Sequence, residues 1–218
     1  MSSQSTIIEK TKAFVQDTLK GDASGHDWWH IDRVHRLAKY IADREGAVGF
    51  VVELAALLHD IADWKFHEGD SLAGGRVATE WLRSLDVNEA MTDHVARIID
   101  AASFKGAHVP DVMASLEGQV LQDADRLDAM GAIGIARTFA YGGSKRRTMY
   151  DPSEAPLLHN SFDSYQNSTS CTINHFYEKL LLLKDRMHTK TGKTLAEKKH
   201  RVLEDFLKQF LSEWKGVL

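Results

Sequence analysis

The chain has very little cysteine, and this limits the classes of protein to which it can belong. Cys171 is its only cysteine, so neither an intrachain disulfide nor a zinc finger built on cysteine pairs can form. The first residues lack the basic and apolar regions of a signal peptide. A single cysteine suits a reducing compartment, and we therefore expect a cytoplasmic protein.

Long apolar runs and an excess of positive charge are also missing. No stretch approaches the ~18 consecutive apolar residues of a membrane span. Hydrophobic residues make up 43% and charged residues 27%, a globular balance that excludes a wholly disordered chain. The net charge is -4, so a general attraction to the nucleic-acid backbone is not expected. Any polyanionic ligand must therefore be bound by a local basic cluster.

Proline is scarce, and its positions separate segments that have a helical period. Pro110, Pro152 and Pro156 each lie between stretches in which apolar residues recur at i, i+3, i+4 and i+7. We therefore predict an all-α fold of roughly eight helices. The predicted helices are Ile7–Leu19, His30–Ile41, Phe50–His59, Leu72–Leu85, Met91–Ala102, Leu116–Phe139, Ile173–Leu181 and Leu195–Trp214.

The length of 218 residues favours one domain, residues 1–218, built as a multi-helix bundle. We expect a core over about residues 26–140, a long loop over about 141–170 and a C-terminal helical hairpin over about 172–216. The hairpin turn is placed at Thr189–Lys193, which contains Gly192. The loop, Tyr141–Ser170, is rich in Gly, Ser, Asn and Pro. It could be a lid over a site or a disordered segment without a function.

His30 falls on the face of its predicted helix that should be buried. It shares an apolar stripe with Val34, Leu37 and Ile41. A core histidine satisfied by one hydrogen bond is the ordinary explanation for such a residue. A metal ligand is the alternative, and it requires further ligands elsewhere in the chain.

An ionisable pair ends the most apolar of the predicted helices. Residues Phe50–Leu58 are apolar on almost every face except at Glu53, and His59 and Asp60 follow directly. Burying a carboxylate beside an imidazole is costly unless a partner offsets it, and a divalent ion is the strongest such partner. The alternative is a histidine that interacts with the helix dipole while Asp60 stays solvated.

Three carboxylates interrupt another apolar helix, at Asp123, Asp125 and Asp128. Asp125 and Asp128 share a face at spacing i, i+3, whereas Asp123 is rotated by roughly 200° from Asp125. We therefore expect Asp123 to be solvated. Surface acids paired with Arg126 are the alternative interpretation of this group.

The order His30, His59-Asp60, Asp125 resembles the H…HD…D signature of the HD superfamily of metal-dependent phosphohydrolases. The resemblance implies an HD-domain bundle with one divalent ion held by these four residues. It covers most of the chain, and the longer segments are similar to the small bacterial YedJ/YpgQ-type HD hydrolases. These segments are Gly25–Val34, Leu57–Asp63, Asp123–Arg137 and His175–Trp214.

Two imidazoles and two carboxylates would form a mixed nitrogen and oxygen site. Such a site suits Mn, Fe, Co, Ni or Zn better than Mg, and we take Mn as the first candidate without excluding the others. An octahedral shell would keep two positions for water and a substrate oxygen, which favours hydrolysis at phosphorus. The resemblance also implies a general acid/base at Asp63, with Asp128 as the next candidate; a surface aspartate is the alternative for Asp63.

Phosphate oxygens that a metal does not bind need cations from the protein. Arg33 follows His30 on its helix and could reach the site or orient Glu53. The run Lys145–Arg147 lies on the long loop and could close over a triphosphate or be an exposed hydrophilic segment. The candidates for binding substrate phosphate are Arg33, Lys65, Lys105, Arg126, Arg137, Lys145 and Arg146.

We predict a nucleotide phosphohydrolase, and the resemblance favours cleavage of a nucleoside triphosphate to a monophosphate and pyrophosphate. A phosphomonoesterase or cyclic-nucleotide phosphodiesterase is the alternative, because the same ion and water can attack either kind of phosphorus. The alternative from another class is a non-catalytic nucleotide sensor with a structural metal site. An oligomer is compatible with each of these, and His26 and His94 are left without a role.

Overall fold

The computed structural model describes residues 3–20, 27–62, 72–102, 113–158 and 169–217. Within these ranges the chain is all-α, as predicted, and contains no strand. Over the same residues, no helix is both long and apolar enough to cross a membrane. The described helices are α1 Gln4–Thr18, α2 Trp28–Glu45, α3 Gly49–Leu58, α4 Ala73–Ser84, α5 Glu89–Ala102, α6 Leu116–Asp128, α7 Gly131–Ser144, α8 Asn174–Glu178, a 3₁₀ helix Leu180–Arg186, and α9 Lys190–Trp214.

The helices belong to two compact units. The first unit comprises Met1–Ser103 and Val112–Asp125, and the second comprises Phe104–Asp111 and Arg126–Leu218. The first therefore contains α1 to α5 and most of α6, whereas the second contains α7, α8, the 3₁₀ helix and α9. The single domain expected over residues 1–218 stays a prediction.

Helix α3 is the central element of the first unit. Seven of its ten residues are buried, and it packs against α1, α2 and α5. Helix α2 precedes it and ends at Gly46, whose φ of 74° is a left-handed conformation that glycine adopts without strain. A short connection therefore joins α2 to α3, and the residues that follow α3 lie at the end of a mostly buried helix.

The predicted single helix Leu116–Phe139 is wrong, because the chain breaks between α6 and α7. Met130 is extended and Gly131 has a φ of 68°. A left-handed residue cannot continue a right-handed helix, and glycine is the residue that takes this conformation most readily. Apolar periodicity continues across the break, which is why the sequence pattern did not reveal it.

The second unit is organised around aromatic side chains of α7, α8 and α9. The rings of Phe176 and Phe206 stack with centroids 5.5 Å apart, and Phe139 contacts both of them. Helix α9 packs against α7 and the 3₁₀ helix. The first arm of the predicted hairpin is therefore split into α8 and a 3₁₀ helix instead of forming one α-helix.

Two predicted boundaries in the second unit are also wrong. Helix α7 continues to Ser144, so the first residues of the predicted loop Tyr141–Ser170 are helical. Helix α9 begins at Lys190, because the Thr189 hydroxyl accepts a hydrogen bond from the Gly192 amide at 2.9 Å and caps the helix. Gly192 therefore lies in the first turn of α9 and not in a connecting turn.

The base of the predicted loop is held by main-chain hydrogen bonds. The Thr172 amide donates to the Thr148 carbonyl at 2.9 Å, and the Ile173 amide donates to the Met149 carbonyl at 3.0 Å. The Cys171 amide donates to the Glu154 carboxylate at 3.2 Å. The described part of this segment is therefore tied to the start of α8.

Replacing Gly134 with alanine should lower the free energy of unfolding by about 1–3 kcal/mol, the usual cost of overpacking. A Cβ at this buried position would clash with the Ala129 carbonyl oxygen, so the backbone of the α6–α7 break would have to move. Gly143→Ala on the same helix is the matched control, because its Cβ would meet nothing within 4 Å. Urea denaturation of both variants tests this, and equal stabilities would contradict it.

Candidate metal centre

His30 lies in the first turn of α2, and a capping residue fixes its backbone. The Asp27 carboxylate accepts a hydrogen bond from the His30 amide at 3.0 Å, which satisfies one of the free amides at the start of the helix. The His30 side chain is only 1% exposed, as the sequence pattern predicted. The Asp27 cap therefore fixes the backbone from which the buried His30 imidazole extends into the first unit.

His59 and Asp60 follow the last turn of α3. His59 Nδ1 lies 2.9 Å from the Ala56 carbonyl oxygen. A carbonyl only accepts, so Nδ1 carries a proton, and in the neutral imidazole Nε2 is then the nitrogen with the lone pair. His59 Nε2 is buried and has no hydrogen-bond partner among the described residues. A buried lone pair of this kind is suited to a metal ion.

The three side chains converge on one point. Asp60 Oδ2 lies 3.3 Å from His30 Nε2 and 3.4 Å from His59 Nε2, and one ligand atom from each of the three residues falls within 4.8 Å of the others. Ligands bound at about 2.1 Å with tetrahedral or octahedral angles lie roughly 3.0–3.4 Å apart. The donor set and its spacing therefore fit a divalent ion.

Asp125 borders this cluster from α6. Its Oδ1 lies 3.5 Å from His30 Nε2 and 3.9 Å from His59 Nε2, and its side chain is 37% exposed. The carboxylate is thus placed between the two imidazoles and solvent. Its coordination of the ion stays a prediction.

The prediction that Asp123 is solvated is wrong, since the residue is fully buried. The neighbouring residues Val120, Leu121 and Ala124 are fully buried as well. Helix α6 is therefore covered on more than one face. Asp123 is rotated by roughly 200° from Asp125 around the helix axis, and this face of α6 is buried as well.

Two of the predicted phosphate-binding arginines contact protein groups within the second unit. Arg137 Nη1 donates to Asp128 Oδ2 at 2.7 Å, and Asp128 is almost completely buried. The buried guanidinium of Arg126 donates to the Arg186 carbonyl. Asp128, the second candidate for proton transfer, is thus part of an ion pair. The substrate roles of both arginines stay predictions.

The remaining predicted cations differ in their surroundings. Arg33 is half-buried on α2, whereas Lys145 and Arg146 are exposed directly after α7. The Lys145 ammonium lies 5.7 Å from the centre of the Tyr141 ring. The predicted site residues Asp63, Lys65 and Lys105, together with His26, lie outside the described residues.

A further polar pair near the cluster was not anticipated from the sequence. His35 on α2 lies 2.9 Å from Glu53 on α3, and Lys39 lies 3.6 Å from the same carboxylate. Burial lowers the pKa of His35, and the adjacent Glu53 opposes this shift. A carboxylate only accepts, so the His35 Nε2–H donates to Glu53. The only sequence signal was that Glu53 interrupts an otherwise apolar helix.

Comparison with known proteins gives consistent results. The HD domain family model matches residues 28–130. The chain is 37% identical over 210 residues to YpgQ of Bacillus subtilis, covering 96% of this chain and 94% of YpgQ.

Solved structures agree with the sequence match. An HD-superfamily hydrolase from Bacillus thuringiensis is 46% identical, covers 98% of this chain and 99% of its own, and superposes with a TM-score of 0.76. The structure of Bacillus subtilis YpgQ in complex with ADP is 35% identical, covers 94% of this chain and 96% of its own, and gives a TM-score of 0.74. The chain belongs to the HD-domain superfamily and is a metal-dependent hydrolase.

Proposed function

We propose that the protein is a nucleotide phosphohydrolase that cleaves a nucleoside triphosphate to a monophosphate and pyrophosphate. The convergence of His30, His59 and Asp60 carries the proposal, because this donor set fits an ion that promotes hydrolysis at phosphorus. The ADP complex of YpgQ supports a nucleotide as the substrate class. A cytoplasmic location and a possible oligomer stay predictions.

We include Asp125 with the three clustered residues in the proposed ligand set. When bound, a divalent ion would supply Lewis acidity toward a phosphoryl oxygen and lower the pKa of water. The carboxylates of Asp60 and Asp125 would offset the charge of the ion, and the hydrogen bond from His59 to Ala56 orients that imidazole. Mn remains our first candidate because the donors mix nitrogen and oxygen.

The other roles follow from the chemistry of the side chains. We assign proton transfer with the attacking water or the leaving group to Asp63. Exposed cations suit a polyphosphate that arrives from solvent, which favours Lys145 and Arg146 over the buried Arg126. Arg33, Lys65, Lys105 and Arg137 complete the candidate set.

The products of hydrolysis decide between the proposed activity and its alternatives. With Mn and a panel of nucleoside triphosphates, we expect equal amounts of monophosphate and pyrophosphate, measured with separate assays for pyrophosphate and orthophosphate. Release of orthophosphate alone would contradict the proposed cleavage and favour a phosphomonoesterase. Turnover of cyclic nucleotides would favour a phosphodiesterase, and tight binding without any turnover would favour a nucleotide sensor.

Asp60→Ala should abolish both metal content and activity. Without this carboxylate, the two imidazoles and Asp125 would not hold the ion in its geometry. Elemental analysis of purified protein measures the metal directly. Asp43→Ala is the control, because Asp43 is an exposed aspartate near the other end of α2. A variant at position 60 that keeps full metal occupancy and turnover would show that Asp60 is not a ligand.

Asp63→Asn should keep the metal and lower kcat by about 10²–10⁴-fold, the usual contribution of a general acid or base. The amide is nearly isosteric with the carboxylate but does not accept a proton at working pH. Metal stoichiometry and kcat should be measured on one preparation. Loss of metal would assign Asp63 to coordination or folding, and a change in kcat below about threefold would remove its proton-transfer role.

A further inference from the structure

The hydrogen-bonded pair His35–Glu53 joins the two helices that lead to the metal cluster. Its Nε2–Oε2 distance is 2.9 Å, and the side chains are 8% and 17% exposed. At 1.5 Å per residue, His35 lies roughly 7.5 Å beyond His30 along α2, and Glu53 lies roughly 9 Å before His59 along α3. The pair is thus separated from the cluster by similar lengths of helix on both sides.

The Lys39 ammonium also lies 3.6 Å from Glu53, and α2 and α3 otherwise bury mainly apolar side chains. The buried side chains on α2 include Val34, Ala38 and Ile41, and those on α3 are all apolar. Placing an imidazole and a carboxylate among them requires desolvation, and an apolar pair of similar volume is often as stable or more stable. Stability is therefore a weak explanation for the pair, whereas fixing a register is an established use of such groups.

The metal cluster needs a fixed register between α2 and α3. The hydrophobic driving force is non-directional, so apolar burial defines the register of two helices less sharply than a directional contact does. A hydrogen bond restricts both distance and angle. Metal–ligand distances must be correct within about 0.2 Å. His30 lies on α2, whereas His59 and Asp60 follow α3, so these distances depend on how the two helices are aligned. A small slide of one helix would move the imidazoles apart.

We propose that the His35–Glu53 hydrogen bond is a positioning element of the metal centre, setting the register of α2 against α3 so that His30 meets His59 and Asp60. Neither side chain acts as a ligand or touches substrate in this role. The inference rests on the metal cluster and does not depend on which nucleotide is hydrolysed.

The test is the double variant His35→Leu with Glu53→Leu in the full-length protein. We expect an unchanged helical circular-dichroism spectrum and a Tm equal to or above that of the native protein, because the apolar pair needs no desolvation. The Kd for Mn, measured by calorimetry, should rise on the order of tenfold, as when groups that orient metal ligands are removed.

The matched control is His200→Leu with Glu204→Leu. This pair also joins a histidine to a glutamate, at 3.3 Å, but it lies within α9 in the second unit. Its removal should leave the Kd for Mn within about twofold of the native value, below the range for groups that orient metal ligands. A similar loss of affinity in both double variants would mean a general effect on the fold and would overturn the proposal.

An unchanged Kd in a folded His35→Leu/Glu53→Leu protein would also overturn the proposal. If that double variant does not fold, the single variants Glu53→Gln and Glu53→Met test the proposal through their affinities for Mn. The amide oxygen of glutamine can still accept from His35, so affinity should be kept with Gln and lost with Met; equal affinities would refute the positioning role. Native protein that binds no Mn would instead refute the choice of metal or the metal centre itself.

Discussion

The approach of two imidazoles, those of His30 and His59, to the carboxylate of Asp60 is the constraint on which the metal centre of the first unit depends. Bringing these groups out of water is costly, and it becomes favourable only when an ion or a hydrogen bond compensates each of them. Helix α3 makes the arrangement possible, because most of its residues are buried and His59 and Asp60 follow at its end. The Asp27 cap then fixes the backbone of His30 at the start of α2, and the Ala56 carbonyl orients the His59 imidazole at the end of α3.

The sequence predicted the all-α fold and the cluster because two independent signals agreed. His30 lay on an apolar stripe, and His59 and Asp60 ended an apolar helix, so burial and chemistry pointed to the same residues. The resemblance to HD proteins then joined segments that are distant in the chain. Local periodicity cannot make such a connection, because it contains no information on which helices become neighbours.

The features that the sequence did not predict depend on tertiary packing or on backbone conformation. Asp123 is buried because α6 is packed on more than one face. The angular position of a residue on a helix does not show which other elements pack against that helix. The break at Gly131 requires a left-handed residue, whereas an isolated glycine in a helical pattern is often tolerated. The contacts of Arg126 and Arg137 depend on the second unit, in which the 3₁₀ helix supplies the Arg186 carbonyl.

The main-chain hydrogen bonds from Thr172 to Thr148 and from Ile173 to Met149 bring together two points that are far apart in sequence. The entropy of closing a loop grows only with the logarithm of its length, by about 0.6 kcal/mol for each doubling. A change in the number of residues between these anchors would therefore alter the entropic cost of closure very little, whereas loss of Glu154 would also remove its hydrogen bonds with Cys171 and Asn174. Evolution can therefore alter the length of chain between these anchors at small entropic cost, while Glu154 is constrained by the hydrogen bonds that it makes with the start of α8.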